Sequence, residues 1–429
     1  MTTSRERTEL ALARIADPAG EGERSCLTVY ADAAREAADA ADARASAGRG
    51  LGPLDGAVIT IKDLFDVAGE VTRAGSAMLA KRGKPATADA PAIARLREAG
   101  AVIVAKTNMT EFAFSGVGAN PHFGTPGNPA DRRRIPGGSS SGGAVACADG
   151  IGEITIGTDT GGSTRIPAAL CGIVGYKPTA KRIPRDGAYP LSFALDSIGP
   201  MARSVADCHR TDAVLAAEPF EPLQAAELSA LRVGLVQGLV LQNMDGIVGP
   251  AYEKALAMLA PAKRSDVMLG ALGIMMSVND RGGIAPPEAY AINRTLLHED
   301  GDGVDPFVRA RIMRAAQMSA ADYIQNMRDR ERGIAEMQAV FDDLDVLALP
   351  TTAIVAPTMD EVATADGFAA RNALLLRNTS IGNFFDLCAI SLPVRLGNSL
   401  PCGLMLFARH GNDRKLFQVA AAVERAIAA

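Results

Sequence analysis

Apolar and polar positions alternate between two periods along this chain, and each period predicts its own element. In Ala57-Val-Ile-Thr-Ile-Lys62-Asp63, apolar residues alternate and end on a charge, which predicts a strand with Lys62 at its end. Ala90–Gly100 carries apolar residues at helical spacing and stops at a glycine. Ala101-Val-Ile-Val-Ala-Lys106 follows at once as a buried strand. Helix passing directly into apolar strand is the rhythm of an α/β fold. Further strands are predicted at 231–236, at Val346–Pro350, at Cys388–Pro393 and at Cys402–Phe407. Residues 250–340 read as mostly helical, with helices at 251–259, 287–297 and 319–341, and Arg414–Ala429 as a terminal helix. Residues 1–50 read as two helices ending at Gly48-Arg49-Gly50. Strands near both ends predict one central sheet built from the whole chain.

Between Pro136 and Thr179 the pattern changes. Two Gly/Ser clusters, Gly137–Gly143 and Gly161–Ser163, flank a small-residue, apolar segment fit for a buried helix and strand. A flexible linker lacks such an apolar run. Glycine serves where the backbone takes unusual angles or approaches a ligand closely. The irregular stretch 112–134 upstream is long enough to be functional.

Composition narrows the classes. The chain has 429 residues, 48% hydrophobic and 22% charged, as soluble globular proteins do. A net charge of −5 gives no electrostatic footprint for nucleic acid or an anionic membrane. No tryptophan is present and aromatics are 4%, which argues against a base-stacking surface. No apolar run approaches a membrane span, and the start lacks a signal-peptide core, so the cytoplasm is expected. Cys26, Cys147, Cys171, Cys208, Cys388 and Cys402 are scattered, without C-x-x-C, and are expected buried and reduced. The four histidines are dispersed and H-E-x-x-H is absent, so neither a metal nor another cofactor is expected.

The serines need a base, because a hydroxyl is a weak nucleophile until its proton is taken. Gly138-Ser139-Ser140-Ser141-Gly142 formally matches G-x-S-x-G, but loop and proline precede it, where that motif requires a strand. A phosphate-binding loop would need G-x-x-x-x-G-K-[ST], which is absent. Lysine is the other candidate base, provided burial keeps it neutral. Lys62, Lys106 and Lys177 lie in apolar or glycine-rich surroundings, and Lys62 is the best placed. His122 in the loop reads as structural.

GGSSSGGAVA, then GTDTGGSTRIPAALCG, then GYKPT, preceded by ITIKDLFD, resemble the amidase signature family. AKTNMTEFA, NPHFGTP, LPTTAIVAPT and ISLPV resemble its other segments. The likeness is strong over Leu54–Arg203 and looser beyond. It implies a single α/β domain whose mixed sheet is covered by helices on both faces. Its parts would be an N-terminal helical segment (1–50), a catalytic core (54–203) and a variable segment closing the sheet (204–429).

The resemblance further implies an amide hydrolase with a Ser–Ser–Lys triad. Ser163 matches the acylating nucleophile, Ser139 the bridging serine that follows a cis peptide, and Lys62 the general base. Thr160, Gly161, Gly162 and Ser163 match the oxyanion hole, Asp159 and Arg165 a loop-steadying pair, and Ser140 a supporting hydrogen-bonding residue. The implied partner is a small-molecule amide, with a homodimer left open. The same triad also serves the amidase-type component of a tRNA-dependent amidotransferase and ureido-type hydrolases acting on carboxybiuret or allophanate-like compounds. In the malonamidase branch an arginine three positions after the nucleophile clamps the substrate carboxylate, and Ile166 stands there. Neutral amides are therefore the expected preference, unless an arginine such as Arg134 or Arg377 takes over that task.

Overall fold

A computed structural model describes residues 2–428. Eleven strands are formed: β1 (Cys26–Val29), β2 (Val58–Lys62), β3 (Val102–Thr107), β4 (Ile154–Asp159), β5 (Val174–Lys177), β6 (Ser197–Ala202), β7 (Arg232–Val236), β8 (Lys263–Val267), β9 (Val346–Pro350), β10 (Cys388–Val394) and β11 (Cys402–Ala408). They join in one mixed sheet of order β1-β3-β2-β4-β6-β5-β10-β11-β9-β7-β8. β3, β2 and β4 run parallel, as do β9, β7 and β8. The strands between them pair antiparallel.

Successive strand residues point to opposite faces. Every residue of β2, β3, β4, β6 and β11 is nevertheless buried, so both faces of the sheet are covered. Val58, Val102 and Val104 pack with Ala11, Leu12, Ile15 and Ala38 of the N-terminal helices. Their neighbours Ile59, Ile61 and Ile103 belong to the opposite core with Ile93 and Leu96 of the Pro91–Glu98 helix. The helix Ser141–Ala148 is built of small residues because it lies directly on backbone. A Cβ on Gly142 would stand 2.5 Å from the Ser25 carbonyl oxygen, and one on Gly143 would stand 2.5 Å from Thr155 Oγ1.

Residues 1–50 differ from the two predicted helices. They form helices Ser4–Ala16, Gly22–Ser25 and Ala31–Ser46, with β1 between the second and third. The short run Cys26-Leu-Thr-Val is long enough to pair with β3 but too short to show a period. No described helix is long and apolar enough to cross a membrane.

The C-terminal helix Asp413–Ala428 is fastened to the sheet by one aromatic contact and one buried carboxylate. The Phe417 and Tyr176 rings lie 4.3 Å apart between centroids. The Tyr176 hydroxyl donates to Asp413 Oδ1 at 2.5 Å, and the Thr179 amide donates to the same oxygen at 2.8 Å. Replacing a buried phenylalanine by alanine removes its transfer energy and leaves a cavity. Phe417→Ala is therefore expected to cost about 3–5 kcal/mol, read as a lower urea midpoint, with the specific activity of the folded fraction unchanged.

Candidate active site

Parallel pairing of β2 with β4 sets the site. The register Ile59↔Ile154, Thr60↔Thr155, Ile61↔Ile156 brings Lys62 level with the end of β4. In parallel sheets the carboxyl ends of strands form the crevice where ligands sit. Lys62 is 0% exposed. Its Nζ lies 2.7 Å from Ser139 Oγ and 2.9 Å from Thr158 Oγ1. Burial disfavours the ammonium and pushes the Lys62 pKa down to about 7, against the opposing pull of Asp159 and Asp196. Thr158 lies inside the GTDTGGSTRIPAALCG stretch, but that stretch alone assigns it no task. The β2–β4 register is the signal that points to it, because it precedes Asp159 on the strand beside Lys62.

The two Gly/Ser clusters meet here. The Gly138–Ser139 peptide bond is cis. The Ser139 carbonyl accepts from the Thr110 amide at 3.1 Å, and the Ser140 amide donates to the Ser163 carbonyl at 3.3 Å. Ser140 thus acts through its backbone, since its buried hydroxyl finds no partner. Ser163 is 4% exposed and lines the cavity described below.

The turn from Asp159 to Arg165 is held from beneath by a buried ion pair. Arg165 Nη2 and Nε donate to the two Asp159 oxygens at 2.8 and 3.0 Å, with both side chains 0% exposed. Burial would raise the Asp159 pKa, but the charge and hydrogen bonds of Arg165 win and hold it well below the usual carboxylate range. Asn383 Nδ2 donates to Asp159 Oδ1 at 2.9 Å, while its oxygen accepts from Arg165 at 2.8 Å. The Gly161 carbonyl accepts from the hydroxyls of Thr379 at 2.6 Å and Ser380 at 3.3 Å. Gly162 sits at φ +136°, and a Cβ there would lie 2.2 Å from Thr379 Oγ1. The amides of Gly161, Gly162 and Ser163 donate to no acceptor among the described residues. Thr160 is steadied through its side chain, which donates to Asp196 at 2.5 Å.

Ser163, Thr160 and Gly161 open into a cavity of about 520 Å³. Its walls are largely apolar, including Leu195, Leu239, Leu272, Met275 and Leu376. Phe114 and Ser115 enter it after Phe112 and Ala113, two consecutive non-glycine residues at φ +51° and +58°. Such backbone is sparsely populated and persists where surrounding structure enforces it.

The other sequence candidates lie elsewhere. Lys106 stands 3.2 Å from Glu70, and Lys177 donates to the carbonyls of Pro178 and Leu387. His122 pairs with Glu111 at 3.1 Å. Ile166 is fully buried. Arg134 is paired with Asp131 and donates to the Ala356 carbonyl. Arg377 reaches the cavity wall, but its guanidinium donates to Asn378 and to the carbonyls of Gln242 and Val240. Two arginines that no motif marks, Arg311 and Arg314, do line the cavity.

The Amidase family model matches residues 6–417. The chain belongs to the amidase family. The 2-amino-5-chloromuconic acid deaminase of Comamonas testosteroni is 36% identical over 401 residues, covering 92% of this amidase and 86% of that protein. One component of the glutamyl-tRNA(Gln) amidotransferase of Roseiflexus sp. (strain RS-1) is 34% identical, covering 99% and 93%. A solved amidase crystal structure superposes with a TM-score of 0.88 at 33% identity, covering 99% of this chain and 96% of that one. This amidase is an enzyme that hydrolyses amide C–N bonds.

Removing one partner of a buried ion pair strands the other charge, at a cost of about 3–5 kcal/mol. Arg165→Met is expected to lose that much stability in urea unfolding. The double variant Asp159→Asn/Arg165→Met should lose clearly less than the two single losses added together.

Proposed function

We propose that this amidase converts a small carboxamide to a carboxylate and ammonia through an acyl-enzyme on Ser163, with Ser139 and Lys62 moving the proton. The observation that carries this reading is the fully buried Lys62 amine, 2.7 Å from Ser139 Oγ, on the loop that touches Ser163. A neutral amine can donate one N–H to Thr158 Oγ1 and turn its lone pair to the Ser139 hydroxyl. Lys62 then accepts the Ser139 proton while Ser139 accepts that of Ser163. Ser163 Oγ bonds to the carbonyl carbon, and the electron pair moves onto oxygen. The amides of Gly161, Gly162 and Ser163, with Thr160 beside them, face this developing charge, each donor worth about 3–4 kcal/mol. Collapse of the intermediate breaks the C–N bond as Ser139 hands its proton to the leaving nitrogen and takes back the proton held on Lys62, which is neutral again. Water repeats the sequence and frees the acid. Asp159 and Arg165 hold the turn in shape, and Ser140 couples the two loops.

A second reading comes from the tRNA-dependent relative, in which this chain would work as one part of a larger assembly. Release of ammonia from simple amides by the isolated chain favours the first reading. Six buried, unpaired cysteines support a reducing, cytoplasmic setting.

Ser163→Ala is expected to abolish turnover and covalent labelling by a fluorophosphonate. Labelling of the variant at the same stoichiometry removes Ser163 as nucleophile. Below its lowered pKa Lys62 is protonated and cannot accept a proton. Activity should therefore rise as pH increases through about 7 and hold into mild alkali. Lys62→Ala should lose about 10²–10⁴-fold with its circular dichroism unchanged. A flat profile from about pH 5 to 9 counts against Lys62 as the base.

A further inference from the structure

We infer that Glu288 is a positioning residue for the cavity: it fixes the turn 191–196, whose leucines form part of the wall against which the substrate's acyl group lies. This rests on the reading of Ser163 as nucleophile, which puts the acyl group in that cavity.

Leu191 and Leu195 line the cavity that Ser163 opens into. On the other side of the same turn lies a second cavity of about 430 Å³, lined by Thr158, Ser192, Phe193 and Asp196 among its residues. The turn is thus a thin wall with space on both sides. A packed interior holds its side chains by close contact all round, and this wall lacks that support on one face. Polar groups hold it instead. Asp196 Oδ2 accepts from the amides of Leu191 and Ser192 at 2.9 and 3.0 Å, and its Oδ1 accepts from the Thr160 hydroxyl. Arg185 donates to the carbonyls of Phe193 and Asp196 at 2.9 and 3.1 Å. Those two clasps come from nearby chain, whereas Glu288 reaches in from 96 positions beyond Ser192.

Glu288 stands in the first turn of the helix Ala285–Asp300. An acid at that place commonly serves the helix dipole from the solvent side. Glu288 is instead 5% exposed. Its Oε2 accepts from the Ser192 hydroxyl and from the Ala194 amide at 3.2 Å. Its Oε1 accepts from the Tyr323 hydroxyl at 2.6 Å, on the helix Ala320–Ala339. The Ser192 hydroxyl oxygen in turn accepts from the Leu195 amide at 3.1 Å. One carboxylate therefore holds residues 192 and 194 directly and Leu195 through Ser192. The arginines of the flanking segments, Arg281 and Arg330, pair with Asp329 and Asp386, so hydrogen-bond donors rather than a cation complete Glu288. Removing it strands the Ser192 hydroxyl and the Ala194 amide and frees the wall to shift toward the second cavity. Substrates that fill more of the first cavity then lose the most contact.

The test compares hexanamide with acetamide, whose acyl chains fill the cavity to different extents. In Glu288→Ala the ratio of kcat/KM for hexanamide to that for acetamide is expected to fall about tenfold, carried by KM. Glu288→Gln keeps an acceptor oxygen for Ser192 and Ala194 and should restore most of the ratio. Tyr323→Phe removes one donor and should lower it about threefold. A role confined to folding scales both amides alike, so an equal loss on both in Glu288→Ala overturns the inference, as does an unchanged ratio. Where Glu288→Ala does not fold, Tyr323→Phe decides by the same ratio. A second measurement needs no turnover. The chain has no tryptophan, and Phe193 is 58% exposed on this turn, so Phe193→Trp supplies a lone fluorophore there. Adding Glu288→Ala should shorten its anisotropy decay, and adding Glu288→Gln should not. A shortened decay in a chain that hydrolyses no amide leaves Glu288 as the support of the turn and removes the proposed reaction. Hydrolysis with decay and ratio both unchanged removes the role of Glu288 alone.

Discussion

An ammonium group deprived of water gives up its proton readily, and the arrangement around Lys62 depends on that fact. The dryness comes from complete burial at the end of β2, between two strands whose every residue is also buried. A bare carboxylate nearby would undo the effect by favouring the charged lysine. Asp159 is such a carboxylate, but Arg165 matches its charge at 2.8 Å. Asp196 is occupied by the Thr160 hydroxyl and by the amides of Leu191 and Ser192. The same ion pair therefore shapes the glycine turn and limits the field at Lys62. A structural role and an electrostatic role fall on one pair of residues.

The elements legible in the sequence are those whose burial comes from apolar side chains. β2, β3, β9, β10 and β11 carry Val, Ile and Leu in short runs and stand where the pattern predicts. The helix Ala365–Phe384 is hidden from that pattern because much of its buried surface is polar: Asn372, Asn378, Thr379 and Asn383 all point inward. Those residues look like a solvated face until their partners are placed against them: Thr379 and Asn383 bond the turn at Asp159–Gly162, Asn372 the Gly116 amide, and Asn378 the Val240 and Pro350 carbonyls. β6, Ser-Ile-Gly-Pro-Met-Ala, has neither alternation nor β-branched density, and β8 is a charged edge strand. Their pairing is decided by neighbours far away in sequence.

The site divides along the same line. Lys62, Ser139 and Ser163 lie in readable local motifs: Lys62 ends a short apolar strand, Ser139 follows a cis peptide bond, and Ser163 follows Gly162 at φ +136°. Arg311 lies in an ordinary helical segment, Val-Arg-Ala-Arg-Ile-Met, and nothing local separates it from Arg309, which pairs with Asp302 at the surface. Only the packing of that helix against Phe114 does. Ile166 is buried beside the glycine turn and speaks only for its own position, whereas the arginines of the cavity wall come from helices far along the chain.

The cavity has two kinds of wall, and this has a consequence for how such an enzyme can change over generations. Thr160, Gly161 and Ser163 come from the strand-end turn, whereas Leu272, Met275, Arg311 and Leu376 come from helices outside it. Side chains on those helices can be exchanged one at a time while Lys62 stays buried and the turn stays anchored. Variation in diet is thereby uncoupled from the chemistry of bond cleavage, and a lineage can sample new amides without passing through an inactive ancestor.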